Sequence, residues 1–333
     1  MSSQHRTILV TGATGTQGGH VIRELLSASK SIGSGFTVTI HAFVRDQASQ
    51  ASQALLALDP QTVKLFQGDF EDSDSLSRAA ESCTSTFLNV TPSFTDPEAE
   101  RRHARNILTA SLSAGVKHII LASVTAAHEY KTFNNLPLDS WMGQYWVSKA
   151  SIIDLVKDPP VPRPEGYTYT ILQPAGFLTN FLPPGQRIMY PNLSAAEPSI
   201  QTALNPSLRL SYLDPADIGR FVAHITFSSP ADLARLKFAN EIVPIASVHL
   251  TMSEIADLLS EAVGRRKVVR VDHLSPEEAE AAKDNPFYNA QIFQNQNPTT
   301  VDLDKVRAYG IALGGVKEFF ERERERVEEA LGL

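Results

Sequence analysis

The stretch TILVTGATGTQGGHVIREL, residues 7–25, decides the fold. Thr7–Val10 is a short β-branched, apolar run and reads as a strand; His20–Ser29 has helical spacing. Between them Gly12, Gly15 and Gly18 stand three apart, G-x-x-G-x-x-G, after a strand and at the opening of a helix. That context makes a glycine pattern informative. Gly12 would permit the tight turn, Gly15 would let backbone approach a pyrophosphate, and Gly18 would let the helix pack closely on the strand. Amides around Thr14, Thr16 and Gln17 would face the anion, aided by the helix N-terminus. The spacing is not the G-x-G-x-x-G of many dehydrogenases, and the Lys and Ser/Thr of a P-loop are missing.

Outward from this turn, short apolar runs alternate with helical patterns. Strands are expected at Phe36–Val44, Val63–Phe66, Ser85–Val90, His118–Ala122 and Tyr167–Leu172. Helices are expected at Gln47–Leu58, Ser73–Ser82, Pro97–Ala114 (closed by Gly115) and Gln144–Val156. Such alternation implies an α/β fold with a doubly wound parallel sheet. Two segments interrupt it: the proline-rich Lys157–Gly166, and Thr179–Ala203, rich in Pro, Gly, Asn and Ser, which reads as a loop. Helical patterns return at Asp214–Phe227 and Ser253–Val263, and SPEE at Ser275 reads as a capping box with Pro276 in the first turn and Glu278 closing it. Gly315–Leu331 reads as one charged amphipathic helix with a solvated face of i,i+4 pairs. The expected organisation is a large domain over residues 1–178 and a smaller, interleaved α/β part over 179–333, with a soft boundary.

Composition removes several classes of function. The chain has 333 residues, 42% hydrophobic and 20% charged, ordinary for a globular protein. A net charge of -7 gives no sign of nucleic-acid binding. The single cysteine, Cys83, allows no internal disulfide and reads as a small buried residue in a reduced compartment. His41, His103, His118, His128 and His249 lack metal spacing, so no metal site is expected. The serines lack a G-x-S-x-G elbow. No apolar segment precedes the first strand and none reaches about 18 residues, which argues against a signal peptide and a membrane span. A cytoplasmic protein is expected.

Two further places carry chemistry. The second strand ends Phe43-Val44-Arg45. An arginine there accommodates a ribose 2′-phosphate and favours NADP(H); Asp46, one residue on, leaves the 2′-hydroxyl of NAD open. In MGQYWVSKAS, residues 142–151, Tyr145 and Lys149 are four apart and share a helix face. A lysine ammonium near the tyrosine would lower its pKa and prepare it for proton transfer. The other reading is an aromatic that packs over the pocket beside Trp141 and Trp146.

TGATGTQGG, Arg45, GDFED, SAGVKHIILASV, YWVSKASIIDLV, ILQPAGFLTNF, DPADIG and TMSEIADLLSEAVGR, in that order, resemble the NmrA-like family of atypical short-chain dehydrogenase/reductases, akin to isoflavone-reductase-like proteins. The resemblance runs from residue 5 to about 270. It implies a Rossmann domain, a small C-terminal substrate domain and NADP(H). By that resemblance Gly12, Ala13, Thr14, Gly15, Thr16, Gln17 and Gly18 would serve the pyrophosphate and Arg45 the 2′-phosphate. Asp69 and Phe70 would flank the adenine. Asn89, Val90 and Thr91 would line the path to the nicotinamide ribose, which Lys149 would bond. Phe177 and Asn180 would lie beside the nicotinamide. Ser123, closing HIILAS, together with Tyr145 and Lys149 resembles the short-chain dehydrogenase triad. Many relatives keep the lysine without the tyrosine. The expected function is oxidoreduction of a small apolar or aromatic molecule. The alternative is an NADP(H)-sensing regulator that acts, in the cytoplasm or nucleus, through a protein partner.

Overall fold

The computed structural model describes residues 4–31, 36–93 and 96–333; the first three residues, part of the segment read above for a leader, lie outside these. Two compact units are interleaved along the chain. One comprises Met1–Tyr130, Tyr145–Pro174 and Ala216–Val243; the other comprises Lys131–Gln144, Ala175–Pro215 and Pro244–Leu333. No single boundary, at residue 178 or elsewhere, therefore divides them.

The strands are β1 Gln4–Val10, β2 Phe36–Val44, β3 Val63–Gln67, β4 Ser85–Leu88, β5 His118–Ala122, β6 Thr168–Pro174, β7 Gly176–Phe177, β8 Ser199–Thr202, β9 Leu210–Leu213, β10 Glu241–Ile245, β11 Val248–Leu250 and β12 Arg270–His273. The helices used below are α1 Thr16–Ser31, α2 Gln50–Leu58, α3 Ser73–Ala80, α4 Ala99–Ser113, α5 Trp141–Lys157, α6 Gly185–Met189 and α7 Pro215–Phe227.

The first unit is built on a sheet in the order β10-β6-β5-β4-β1-β2-β3. From β6 to β3 the strands pair in parallel throughout. This is the doubly wound order 3-2-1-4-5-6 of a Rossmann-like fold, in which ligands bind beyond the carboxyl ends of the strands. The central strands are apolar on both faces because helices cover both: β4 (STFL) and β5 (HIILA) are buried at every residue. The second unit holds a three-stranded sheet, β11-β9-β7, and a parallel pair, β12-β8.

Two expectations need correction. Residues 179–203 are not a plain loop: they contain the turn Leu178–Phe181, α6, the turn Pro191–Ser194 and β8. The apolar residues scattered through this Pro/Gly-rich run organise it. Phe181 and Leu193 are fully buried, and the Phe181 ring stacks on Tyr190 at 4.6 Å. The charged tail is two helices, Val316–Arg322 and Arg324–Ala330, broken at Glu323. Phe319 and Phe320 in one piece and Val327 and Leu331 in the other belong to the same apolar core. Ser275 forms the expected capping box with Glu278. Cys83 is buried, and burial pushes its thiol up to about 12. Among the described residues no helix is long and apolar enough to cross a membrane, and no His/Cys/Asp/Glu cluster could hold a metal.

The glycine turn fixes α1 on β1. Gly12 has φ +62, a left-handed conformation that costs glycine little. A Cβ on Gly18 would lie 2.3 Å from the Gly12 carbonyl oxygen and 2.8 Å from Ala13 Cα, both backbone atoms. A Cβ on Gly15 would meet only the Gly12 carbonyl oxygen, at 3.2 Å. Gly18→Ala is therefore expected to lower the unfolding free energy by about 1–3 kcal/mol through overpacking. Gly15→Ala should cost clearly less. Urea denaturation of both variants checks the contrast.

Candidate active site

The candidate residues of the first unit gather at the carboxyl ends of its strands. After β1, the Thr11 hydroxyl donates to the Phe87 and Asn89 carbonyls (3.0 and 3.2 Å) and accepts from Asn89 N–H at 2.9 Å. Gln17 donates to Asn89 Oδ1 at 3.3 Å. The turn after β1 and the end of β4 are thus one hydrogen-bonded piece, which also packs Asn89 Nδ2 against Gly12. Thr14, Gly15 and Thr16 face solvent, Ala13 and Gly18 are buried beneath them, and Gln17 Oε1 is buried without a partner. No acidic residue occupies the first turn of α1, so its amide dipoles are not neutralised from within the helix. This turn fits a pyrophosphate.

Arg45, just past β2, is exposed and makes no ion pair among the described residues. Asp46 beside it is engaged: its carboxylate accepts Ala48 N–H at 2.8 Å, and its carbonyl accepts the Ser49 and Ser52 hydroxyls. Asp46 thus serves as the turn-former that starts α2, and Arg45 is the group available to a phosphate. After β3, Asp69 caps its own turn through Glu71 N–H (2.8 Å), and Phe70 stacks on Phe43 at 5.6 Å. Asn106 on α4 donates to the Phe70 carbonyl at 2.9 Å and so holds that turn. Val90 is buried and Thr91 exposed.

Tyr145 and Lys149 do come together on α5: the Lys149 ammonium lies over the Tyr145 ring, 5.8 Å from its centroid. The tyrosine is half-buried, with its ring edge-on to Trp146 at 5.4 Å. A group that spacing did not point to controls both. Glu100, in the first turn of α4, is 1% exposed. Its Oε1 accepts from Lys149 Nζ at 2.5 Å and its Oε2 from Ser148 Oγ at 2.7 Å. The charge of Lys149 is thereby offset by a closer carboxylate. Burial first, and the Glu100 charge second, hold the Tyr145 hydroxyl above its ordinary value. A signal for Glu100 was present. Residues 100, 104, 107, 108 and 111 form the buried stripe of α4, and a carboxylate on such a stripe needs a partner.

Ser123 is held by its N–H to the Leu172 carbonyl (2.9 Å), and its hydroxyl is buried with no partner among the described residues. His128, a weak candidate, is tied to Gln173 at 3.0 Å. Phe177 and Asn180 belong to the second unit. Phe177 pairs with Leu213 in its three-stranded sheet, and Asn180 sits in the turn against Gly185.

The NmrA-like family matches residues 4–297. The chain belongs to the NmrA-like family. A NAD(P)H azoreductase of Xenophilus azovorans is 26% identical over 260 residues, 78% of this chain and 74% of that protein. Among solved structures, the Escherichia coli NADPH-dependent quinone oxidoreductase complexed with NADPH has a TM-score of 0.66 at 20% identity, covering 95% of this chain and 99% of that one. Nmra, a negative transcriptional regulator, has a TM-score of 0.68 at 18% identity, covering 99% of each. At these identities the structural likeness establishes the shared fold.

A buried charge left alone is far more costly than the pair. Glu100→Ala is expected to destabilise the protein by about 3–5 kcal/mol. The double variant Glu100→Ala/Lys149→Met should recover most of that loss. Denaturant unfolding of the singles and the double gives the coupling directly.

Proposed function

We propose that this protein is an NADP(H)-dependent oxidoreductase that reduces a small apolar or aromatic molecule at a carbonyl or conjugated position. The observation that carries this reading is Tyr145: a half-buried phenol kept protonated beside a lysine whose own charge is compensated. Support also comes from the exposed, uncommitted Arg45 and the open glycine turn. Relatives named as an azoreductase and a quinone oxidoreductase point to electron-poor conjugated substrates.

In this reading Gly12–Gly18 hold the pyrophosphate and Arg45 the 2′-phosphate, while Asp69 and Phe70 flank the adenine. Asn89, Val90 and Thr91 line the ribose path. The bound cofactor supplies a hydride. Tyr145 donates the proton that the reduced oxygen or carbon requires, and a raised pKa keeps that proton in place until it is needed. Ser123, whose hydroxyl has no partner among the described residues, donates a hydrogen bond to the substrate. Lys149 holds a ribose hydroxyl with the donors that Glu100 does not use, since an ammonium has three.

A second reading is a nucleotide-sensing regulator with a protein partner and no turnover. The 2.5 Å bond from Lys149 to Glu100 favours it, because the lysine already has a structural role.

The discriminating experiment is NADPH oxidation over aromatic ketones, quinones and enones, with NADPH and NADH binding titrated alongside. Turnover supports the enzyme; tight NADPH binding without turnover supports the sensor. Tyr145→Phe is expected to cut kcat about tenfold to a thousandfold with nearly unchanged NADPH affinity. An active Phe variant removes the proton-transfer role. In the reducing direction kcat should stay flat from about pH 7 to 9. A phenol ordinarily titrates near 10, and here deprotonation, which would abolish donation, is moved higher still. Arg45→Ala should weaken NADPH about 10- to 100-fold and leave NADH nearly unchanged, as loss of charge-assisted bonds to a phosphate requires.

A further inference from the structure

The turn that follows β3 is gripped from α4 at a single peptide group. Within the turn, Asp69 Oδ1 accepts the Glu71 N–H at 2.8 Å, and the Asp69 carbonyl accepts the Asp72 N–H at 3.0 Å. The Phe70 carbonyl takes no part in that closure; it accepts from Asn106 Nδ2 at 2.9 Å. The Phe70 carbonyl and the Glu71 N–H belong to one planar peptide unit, so that unit is held at both ends. It cannot turn over without breaking both bonds. α4 offers two further side chains to the same turn. Arg102 Nε and His103 Nε2 both reach Glu71 Oε1, at 2.8 and 3.0 Å, and the His103 ring lies 5.6 Å from that of Phe70. Arg102 and Glu71 are each 44% exposed, and ion pairs so exposed contribute little and are screened by salt. The Asn106 bond is neutral and half-buried, so it is the contact that salt and solvent leave in place.

We propose that Asn106 is a positioning residue for nucleotide binding, which sets the adenine end through the 70–71 peptide; this rests on the reading of Asp69 and Phe70 as the flanks of the adenine. One bond fixes both flanks. Phe70 is held by its own carbonyl, and Asp69 is held because the amide that its carboxylate accepts belongs to the same peptide. The Phe70 ring is located separately, by its stack on the buried Phe43 at 5.6 Å. Without the Asn106 donor the carbonyl turns to water, and the peptide takes several orientations in the free protein. Only one of them presents both flanks correctly, so the competent fraction falls and the apparent affinity falls in proportion. Holding the turn in advance is therefore what Asn106 contributes to affinity, with no contact of its own to the nucleotide.

The test is calorimetric titration of the full-length protein with NADPH, NADH and 2′,5′-ADP, the last carrying the adenine end without the nicotinamide. The parent is expected to bind 2′,5′-ADP. Asn106→Leu keeps the size of the side chain and removes the donor; it should weaken all three ligands about tenfold, one hydrogen bond's worth. Arg102→Ala, which removes only exposed ion pairs, should weaken 2′,5′-ADP by less than about threefold. Should Asn106→Leu fail to fold, Asn106→Ser, whose side chain is one bond shorter, is expected to show the same loss. Parent-like binding of all three ligands by the Asn106 variant overturns the inference and leaves the NADP(H) reading intact. So does a loss that spares NADH, which would place the effect at the 2′-phosphate, and so does an equal loss in Arg102→Ala. A parent that binds no 2′,5′-ADP overturns the adenine reading and the inference with it.

Discussion

A glutamate and a lysine with almost no access to water, joined at 2.5 Å, hold α4 to α5 at the carboxyl edge of the sheet. Other features of the candidate site follow from this pair. Two charges taken out of water cost several kcal/mol each, and their attraction repays this only when the geometry is good and the remaining donors and acceptors are satisfied. Glu100 meets that condition by taking Ser148 on its second oxygen. The pair fixes where the ammonium lies, and so fixes the Tyr145 ring beneath it. It also determines the sign of the electrostatics felt by the phenol. An isolated lysine would favour phenolate. A lysine compensated by a closer carboxylate does not, and burial then favours the neutral form.

The glycine turn imposes a complementary constraint. The helix can approach β1 only because residue 18 lacks a side chain, and that approach brings the first amides of α1 to the same strand edge. An anion placed there meets dipoles unopposed by any acid in the first turn. The link from Thr11 and Gln17 to Asn89 carries this geometry to the next strand, so the two strand ends form one hydrogen-bonded edge.

Much of this was legible in the sequence because it is local. Strand and helix periods, the glycine spacing, the Ser275 cap and the arginine at the end of β2 are each decided within a few residues. What escaped involves partners far apart in the chain. Glu100 and Lys149 are separated by 49 residues, and the pattern of α4 marks Glu100 as buried without saying what meets it. The tail reads as one helix because its charges repeat regularly. The structure breaks it at Glu323, and both pieces pack their apolar residues on one core. The 179–203 segment looks like a loop by composition, yet Phe181, Tyr190 and Leu193 give it a core of its own.

The state of Tyr145 also bears on the direction of the chemistry. A base must be poised to lose its proton near working pH, whereas a donor must keep it until charge develops on the substrate. Burial and Glu100 both favour the donor. A substrate that accepts hydride at a conjugated centre develops negative charge close to the phenol as the transfer proceeds. That charge is what draws the proton across, so the phenol needs no prior activation by Lys149. On the proposed reading, the carboxylate that offsets the lysine's charge favours a tyrosine that donates a proton over one that removes it.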